Sequence, residues 1–248
     1  MANSETTNTQ SGDPVEGVRI NKYLGEAGIC SRREADRLVE AGQVTIDGVT
    51  AKAGDRVMPG QKVVVQGKQA KKEQQDILLA YYKPKGVECT SDRSNPDNII
   101  DRINYGKRIY TVGRLDKNSS GLILLTNNGE LAYEISKAGD NHEKEYVVTV
   151  DKPVTEEFLN GMACGVPILG KMTAPCRVRR MGERSFDIVL IQGMNRQIRR
   201  MCEYFGFRVT YLKRIRVMNI SLGSLEKGQY REVSAQERSE LMKMLSKR

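Results

Sequence analysis

Asp116 closes the tetrapeptide Gly113-Arg114-Leu115-Asp116 and is followed by Ser119-Ser120-Gly121-Leu122-Ile123-Leu124-Leu125-Thr126. An aspartate between an apolar run and a polar turn is ordinarily a turn former that bonds its own backbone; held at the lip of a pocket it is also a candidate acid, base or nucleophile. A second pattern is Gly193-Met194-Asn195-Arg196-Gln197-Ile198-Arg199-Arg200. Here Asn195 can cap a helix whose buried face is Ile198, Met201, Cys202 and Phe205. Arg196, Arg200 and Glu203 then fall on the solvent side, and Arg199 lies at the boundary, where its head can reach inward. The third, Lys144-Glu145-Tyr146, opens a strand, where a tyrosine is by itself ordinary packing.

Other chemistries are excluded by what the chain lacks. There is a single histidine, His142, so activation of a serine or cysteine nucleophile has one candidate, and a multi-histidine metal site has none. The five cysteines (Cys30, Cys89, Cys164, Cys176, Cys202) are scattered, without the paired spacings of zinc sites or disulfide frameworks. Gly165-Val166-Pro167-Ile168-Leu169-Gly170-Lys171 imitates the start of a phosphate-binding loop. It is followed by Met172 rather than Ser or Thr, and Pro175 opposes the long helix such a loop needs. The chemistry left is that of carboxylates, tyrosine, arginine and lysine, with neither metal nor cofactor expected.

Two groups of elements must position these residues. Ile20, Tyr23, Leu24 and Ala27 recur at helical spacing, with Gly28 where a helix ends. Ser31-Arg32-Arg33-Glu34 reads as a capping box, Ser31 capping and Glu34 returning the bond, for a helix through Ala35, Leu38 and Val39. Val44–Ile46, the Asp47-Gly48 turn, Val49 and Lys62–Val65 read as short strands, the first two a hairpin. Residues 66–76 are polar and read as a linker, and residues 1–16, polar and without Lys or Arg, as a disordered tail. From Ile77 onward the strand-like runs are 77–82, 109–112, 122–125, 146–150, 186–192 and 209–220. Helical stretches follow Gly129, Thr155 and Asn195, and a last one starts at the capping box Ser234-Ala235-Gln236-Glu237. Strands and helices do not alternate regularly, so the fold class expected is α+β with a mainly antiparallel, mixed sheet flanked by helices.

The chain has 248 residues, 39% apolar, enough for one sizeable core and a small accessory domain. No apolar run approaches the roughly 20 residues of a membrane span; a cytoplasmic protein, active as a monomer, is expected. Its 40 basic and 31 acidic residues give a net charge of +9, which suits a polyanionic partner such as nucleic acid.

Taken together, Asn21-Lys22-Tyr23-Leu24, Gly28 and Cys30-Ser31-Arg32-Arg33-Glu34-Ala35 resemble the S4 domain, an RNA-binding module, with Arg32 and Arg33 on its basic face. The three patterns above, with Lys83-Pro84-Lys85-Gly86, resemble the pseudouridine synthases, in the branch containing RsuA, RluB, RluE and RluF. The stretches 141–146, 165–170 and 197–203 look most like the synthase F type of that branch, which acts on 23S ribosomal RNA. The resemblance implies an S4-like unit over 17–65 and a catalytic domain over 77–248. By position it puts the catalytic aspartate on Asp116, the base-stacking tyrosine on Tyr146 and the arginine paired with the aspartate on Arg199. It also puts an apolar base contact on Ile198 and an arginine beside the vacated base on Arg114; Arg196 and Arg200 would grip flanking RNA. Lys85 departs from the pattern, which expects a small or apolar residue there and leaves the packing near Gly86 open.

The implied reaction detaches uracil from C1′ and rejoins it through C5, without redox, hydrolysis or an external donor. It needs a carboxylate that stays ionised in a dry pocket. Burial raises such a pKa, and a guanidinium within about 4–6 Å opposes the rise. The substrate implied is ribosomal RNA, with tRNA open as a second. The rival reading is a non-catalytic S4 protein that binds RNA or assists ribosome assembly, for which Asp116, Tyr146 and Arg199 need not meet.

Overall fold

The computed structural model describes residues 17–71, 75–137 and 142–246. The chain divides into two compact units, Met1–Gln74 and Gln75–Arg248. The tail expected over 1–16 lies outside the described residues.

The first unit runs β1 (Val18–Arg19), α1 (Ile20–Glu26), α2 (Arg32–Glu40), β2 (Val44–Ile46), β3 (Val49–Thr50), β4 (Arg56–Val57), β5 (Val63–Val65) and β6 (Lys68–Ala70). Both helices end in the same way. Gly28 and Gly42 adopt left-handed backbone; Ile29 N then donates to Leu24 O and Gln43 N to Leu38 O, which satisfies carbonyls the helices leave open. Ser31 Oγ accepts from Glu34 N at 3.1 Å as expected. The Glu34 carboxylate does not return the bond: it takes Arg37 at 3.2 Å. Ile20, Leu24, Ala35, Val39, Val44, Val57, Val63 and Val65 form the core. Arg32, Arg33 and Arg37 are exposed.

The linker expected over 66–76 contains structure. Gln66 and Gly67 both take positive φ, +48° and +78°, and turn the chain so that β6 pairs with β5 and buries Ala70. A Gln-Gly pair thus does the work of the commoner Asn-Gly in a two-residue hairpin turn.

The second unit contains β7 (Leu78–Lys83), α3 (Ile99–Ile103), β8 (Tyr110–Val112), β9 (Ser120–Thr126), α4 (Gly129–Ser136), β10 (Lys144–Val150), α5 (Glu156–Cys164), β11 (Pro167–Ile168), β12 (Lys171–Met172), β13 (Arg177–Gly182), β14 (Ser185–Leu190), α6 (Gln197–Tyr204), β15 (Val209–Val217), β16 (Ile220–Ser221), β17 (Tyr230–Glu232) and α7 (Ala235–Ser246). Its sheet has the order β13-β14-β10-β15-β9-β7-β17, with β16 on β15 and β8 on β9. Among the described residues of this sheet only β15 and β9 run parallel; the other strand pairs are antiparallel. This is the mixed α+β arrangement expected. Among the described residues no helix is long and apolar enough to cross a membrane.

The central strands β7 and β9 are buried throughout. Their alternate residues enter two cores: Leu78, Ala80, Leu122 and Leu124 pack with α4, while Leu79, Tyr81, Ile123 and Leu125 pack with α3. Covering on both faces is why these strands read as continuous apolar runs rather than alternating ones. A third core joins β10 and β14 to α5 and α6 through Val148, Phe158, Met162, Phe186, Ile188, Ile198 and Met201.

Candidate active site

The loop between β8 and β9 carries Asp116 and is held at several points. Leu115 N donates to Cys89 Sγ at 3.3 Å, and Gly86 N donates to Lys117 O at 2.8 Å. Ser119 N donates to Asp116 O at 3.0 Å, and Lys117 pairs with Asp97 at 2.8 Å. With the main chain so tied, the half-buried Asp116 side chain lines a cavity of about 200 Å³. A more open groove of about 500 Å³ shares Arg114, Asp116 and Arg196 with it.

The same cavity is lined by Tyr146, Ile198, Arg199, Arg114 and Arg196. Ile198 is buried and Tyr146 partly so, packed between two of the cores. Arg114 and Arg196 are exposed at the rim. Arg200 does not line the cavity: its guanidinium folds back on Asn195, donating to the carbonyl at 3.1 Å and to Oδ1 at 3.3 Å. Arg32 and Arg33 belong to the first unit.

Two local expectations are corrected here. Asn195 does not cap α6. Arg196 precedes the helix in left-handed backbone with φ +50°, and Gln197 instead turns its side chain back to accept from Met194 N at 3.0 Å. The left-handed residue swings Asn195 off the helix axis, so its side chain meets Arg200 instead of the open N–H groups. Arg199, for its part, closes no ion pair on Asp116. Its Nη1 donates to Val209 O at 3.2 Å, and its Nη2 to Asn118 O at 3.0 Å and Ser119 Oγ at 3.4 Å. The carbonyls of the Asp116 loop and of β15 compete successfully for the fork, and the two charges interact across the cavity. Burial, then the charge of Arg196, lowers the Arg199 pKa, and Asp116 opposes the shift. Arg199 Nε is buried without a hydrogen-bond partner.

Three cationic residues beside Asp116 escaped the sequence reading as site residues. Lys83 is fully buried, donating to Val87 O at 2.7 Å and Pro84 O at 2.9 Å. Burial lowers its amine to about 8, against the nearby Cys89 and Asp116. Lys85 is exposed, and Gly86 takes φ +93°. Lys144 and Arg214 line the cavity itself. Lys144 sits two residues before Tyr146, which was signal enough to find it. Arg214 follows Leu212 by two residues and shares its cavity face; a bulge then breaks the alternation of β15, so that Tyr146 faces Arg214 yet Glu145 faces Arg216.

A family model described as RNA pseudouridylate synthase matches residues 77–204, and one described as S4 domain matches 18–63. The chain belongs to the RNA pseudouridine synthase family. It is 51% identical over 230 residues to the dual-specificity RNA pseudouridine synthase RluF of Salmonella typhi, covering 92% of this chain and 80% of that protein. With the RluF of Escherichia coli strain K12 it shares 50% over 234 residues, 94% of this chain and 81% of the relative. A solved crystal structure of a pseudouridylate synthase superposes with a TM-score of 0.66 at 26% identity, over 92% of this chain and 99% of the other. The synthase therefore has the S4 unit and the catalytic fold that the resemblance implied, and the rival reading of a non-catalytic S4 protein is set aside. Its cavity supplies one carboxylate, an aromatic ring and an apolar wall within a ring of positive charge.

Proposed function

We propose that this synthase isomerises uridine to pseudouridine in structured ribosomal RNA, 23S rRNA in particular, with tRNA as a second substrate class. The relatives near 50% identity are named dual-specificity enzymes, which supports two kinds of RNA. The observation that carries the reading is the meeting of Asp116, Tyr146, Ile198 and Arg199 in one cavity, although they come from a loop, a strand and a helix.

In this reading the target uridine leaves its stem at a cost of a few kcal/mol and regains about 1–3 kcal/mol by stacking on Tyr146. Ile198 packs against the base. The ionised Asp116 acts at the sugar, attacking C1′, stabilising positive charge there or assisting loss of a ribose proton. Arg199 fixes the loop that carries Asp116. Arg114 takes the place the base vacates, while Arg196 and the exposed Arg32 and Arg33 hold flanking phosphates, contacts that read shape rather than sequence. Arg200, turned onto Asn195, reaches RNA only by releasing that contact. The enzyme acts in the cytoplasm as a monomer.

Two measurements test this. Asp116→Asn abolishes tritium release from RNA carrying 5-³H-uridine while leaving RNA affinity within about twofold, since one half-buried acid adds little to phosphate binding; undiminished release removes Asp116 from the mechanism. Carbodiimide mapping of rRNA and tRNA from cells lacking the gene loses specific pseudouridines, and their persistence overturns the substrate assignment.

A further inference from the structure

The cavity carries more positive charge than one carboxylate needs. Arg114 and Arg196 stand at the rim, and Arg199 is tied to the Asp116 loop. Lys144 and Arg214 have no such employment. They lie on neighbouring strands, on the face of the sheet that Tyr146 also occupies. Among the described residues neither meets a carboxylate. Lys144 Nζ donates to His142 O at 3.1 Å, and Arg214 donates only through Nε, to Leu122 O at 2.7 Å. Arg214 is 4% exposed. A guanidinium so buried without a counter-charge is costly, and the cost persists only where the charge has another use.

The neighbouring arginine gives the contrast. Arg216, on the same strand, pairs with Glu145 at 2.7 Å and Glu143 at 2.9 Å on the other face of the sheet. Residues two apart on a strand share a face. Ile215 is an extra residue in the ladder, because Glu145 pairs with Arg216 and Tyr146 with Arg214. That bulge separates the two arginines, leaving Arg214 with Leu212 and Tyr146 on the cavity face and sending Arg216 to the glutamates, the re-aiming of a side chain for which bulges beside active sites are known. Burial, then the charge of Arg214, lowers the Lys144 amine to about 8, so it keeps its proton at neutral pH.

We propose that Lys144 and Arg214 hold the negative charge of the uracil ring while it is detached from the ribose. This rests on the reading of the cavity as the uridine site. When the N1–C1′ bond breaks, its electron pair leaves with N1 and spreads over the ring to O2 and O4. The electron-poor sugar is met by Asp116, and the electron-rich base by the two cations. When C5 bonds to C1′, the pair is spent in the new bond; one proton leaves C5 and one joins N1, so nothing is gained or lost. Lys144 and Arg214 are thus catalytic residues for the departing base, separate from the group that serves the sugar.

The test uses full-length enzyme and two RNAs, one with uridine and one with 5-fluorouridine at the target, whose ring anion is intrinsically more stable. Lys144→Met and Arg214→Gln are assayed in single turnover for cleavage of the N1–C1′ bond, with RNA affinity and thermal unfolding measured alongside. On uridine RNA each variant is slower by roughly 10²–10³-fold, the size of effect seen when one oxyanion donor is removed. On 5-fluorouridine RNA the deficit shrinks by about tenfold, as expected when the leaving group needs less help. Lys144→Arg, which restores the charge, recovers activity. An equal deficit on both RNAs, or none on either, overturns the proposal. Should Arg214→Gln fail to fold, the Lys144 variants decide alone. A wild-type enzyme that turned over neither RNA would instead refute the reading of the cavity.

Discussion

Gly121 and Arg214 touch backbone to backbone where β9 runs parallel to β15. A Cβ on Gly121 would collide with the Arg214 carbonyl oxygen and lie 2.6 Å from its amide nitrogen, and the glycine holds φ +109°. Both the space and the backbone conformation exclude any other residue. The approach fixes the height of Arg214 in the cavity and, through the short link from Asp116 to β9, the position of the carboxylate as well.

Gly121→Ala is therefore expected to destabilise the protein by more than about 2 kcal/mol, combining strain at a special conformation with a steric clash. Urea unfolding at neutral pH measures it. A variant as stable as the parent would mean that β9 and β15 can part without cost.

Arg199 spans from β15 to the Asp116 loop through two separate nitrogens. A lysine cannot make both bonds at once in that geometry. Arg199→Lys is expected to lose most of the activity that Arg199→Ala loses, roughly 10²-fold or more, with RNA affinity little changed. Single-turnover rates and filter binding separate the two effects; full activity in Arg199→Lys would reduce the residue to a bare charge.

Tyr146 lines the cavity, and in the proposed function its ring stacks on the base. Tyr146→Phe keeps the ring and is expected to retain RNA affinity, whereas Tyr146→Ala loses about 1–3 kcal/mol of stacking, equivalent to roughly 5–150-fold in binding. If Phe binds normally but turns over slowly, the phenol itself takes part in proton transfer.

How much of this was legible beforehand depends on the kind of signal. The strands β7 and β9 announced themselves by unbroken apolar runs, and α7 by Ser234 and Glu237, which bond each other's backbone at 3.2 and 2.9 Å. Asp116, Tyr146 and Arg199 were found through motifs, and they share a cavity. Arg214 was hidden because it sits between Lys213 and Arg216 in a basic run, and only the inserted Ile215 puts Arg214 and Arg216 on opposite faces. β6 was hidden because its turn is Gln-Gly, and Asn195 misled because nothing in the sequence marks Arg196 as left-handed.

The capping box at α7 has a pH signature. Arg231 holds Glu237 through two 2.7 Å bonds; with Ser234 it lowers the carboxyl to about 2, burial opposing. A depressed folded-state pKa stabilises above the ordinary carboxylate value and is lost as pH falls through 2. Glu237→Gln is expected to cost about 1–3 kcal/mol at pH 7, a difference that narrows steadily between pH 4.5 and 2. Urea midpoints across that range check it; a constant gap would assign the loss to packing.

The parallel seam between β15 and β9 has a consequence in time. The bond from Arg214 to Leu122 joins residues 92 apart in the chain, and closing so long a segment costs entropy before any contact repays it. During synthesis the Asp116 loop waits for β15 to emerge before Arg214, and the Val209 carbonyl that anchors Arg199, are in place. The cavity is thus completed only when β15 pairs with β9.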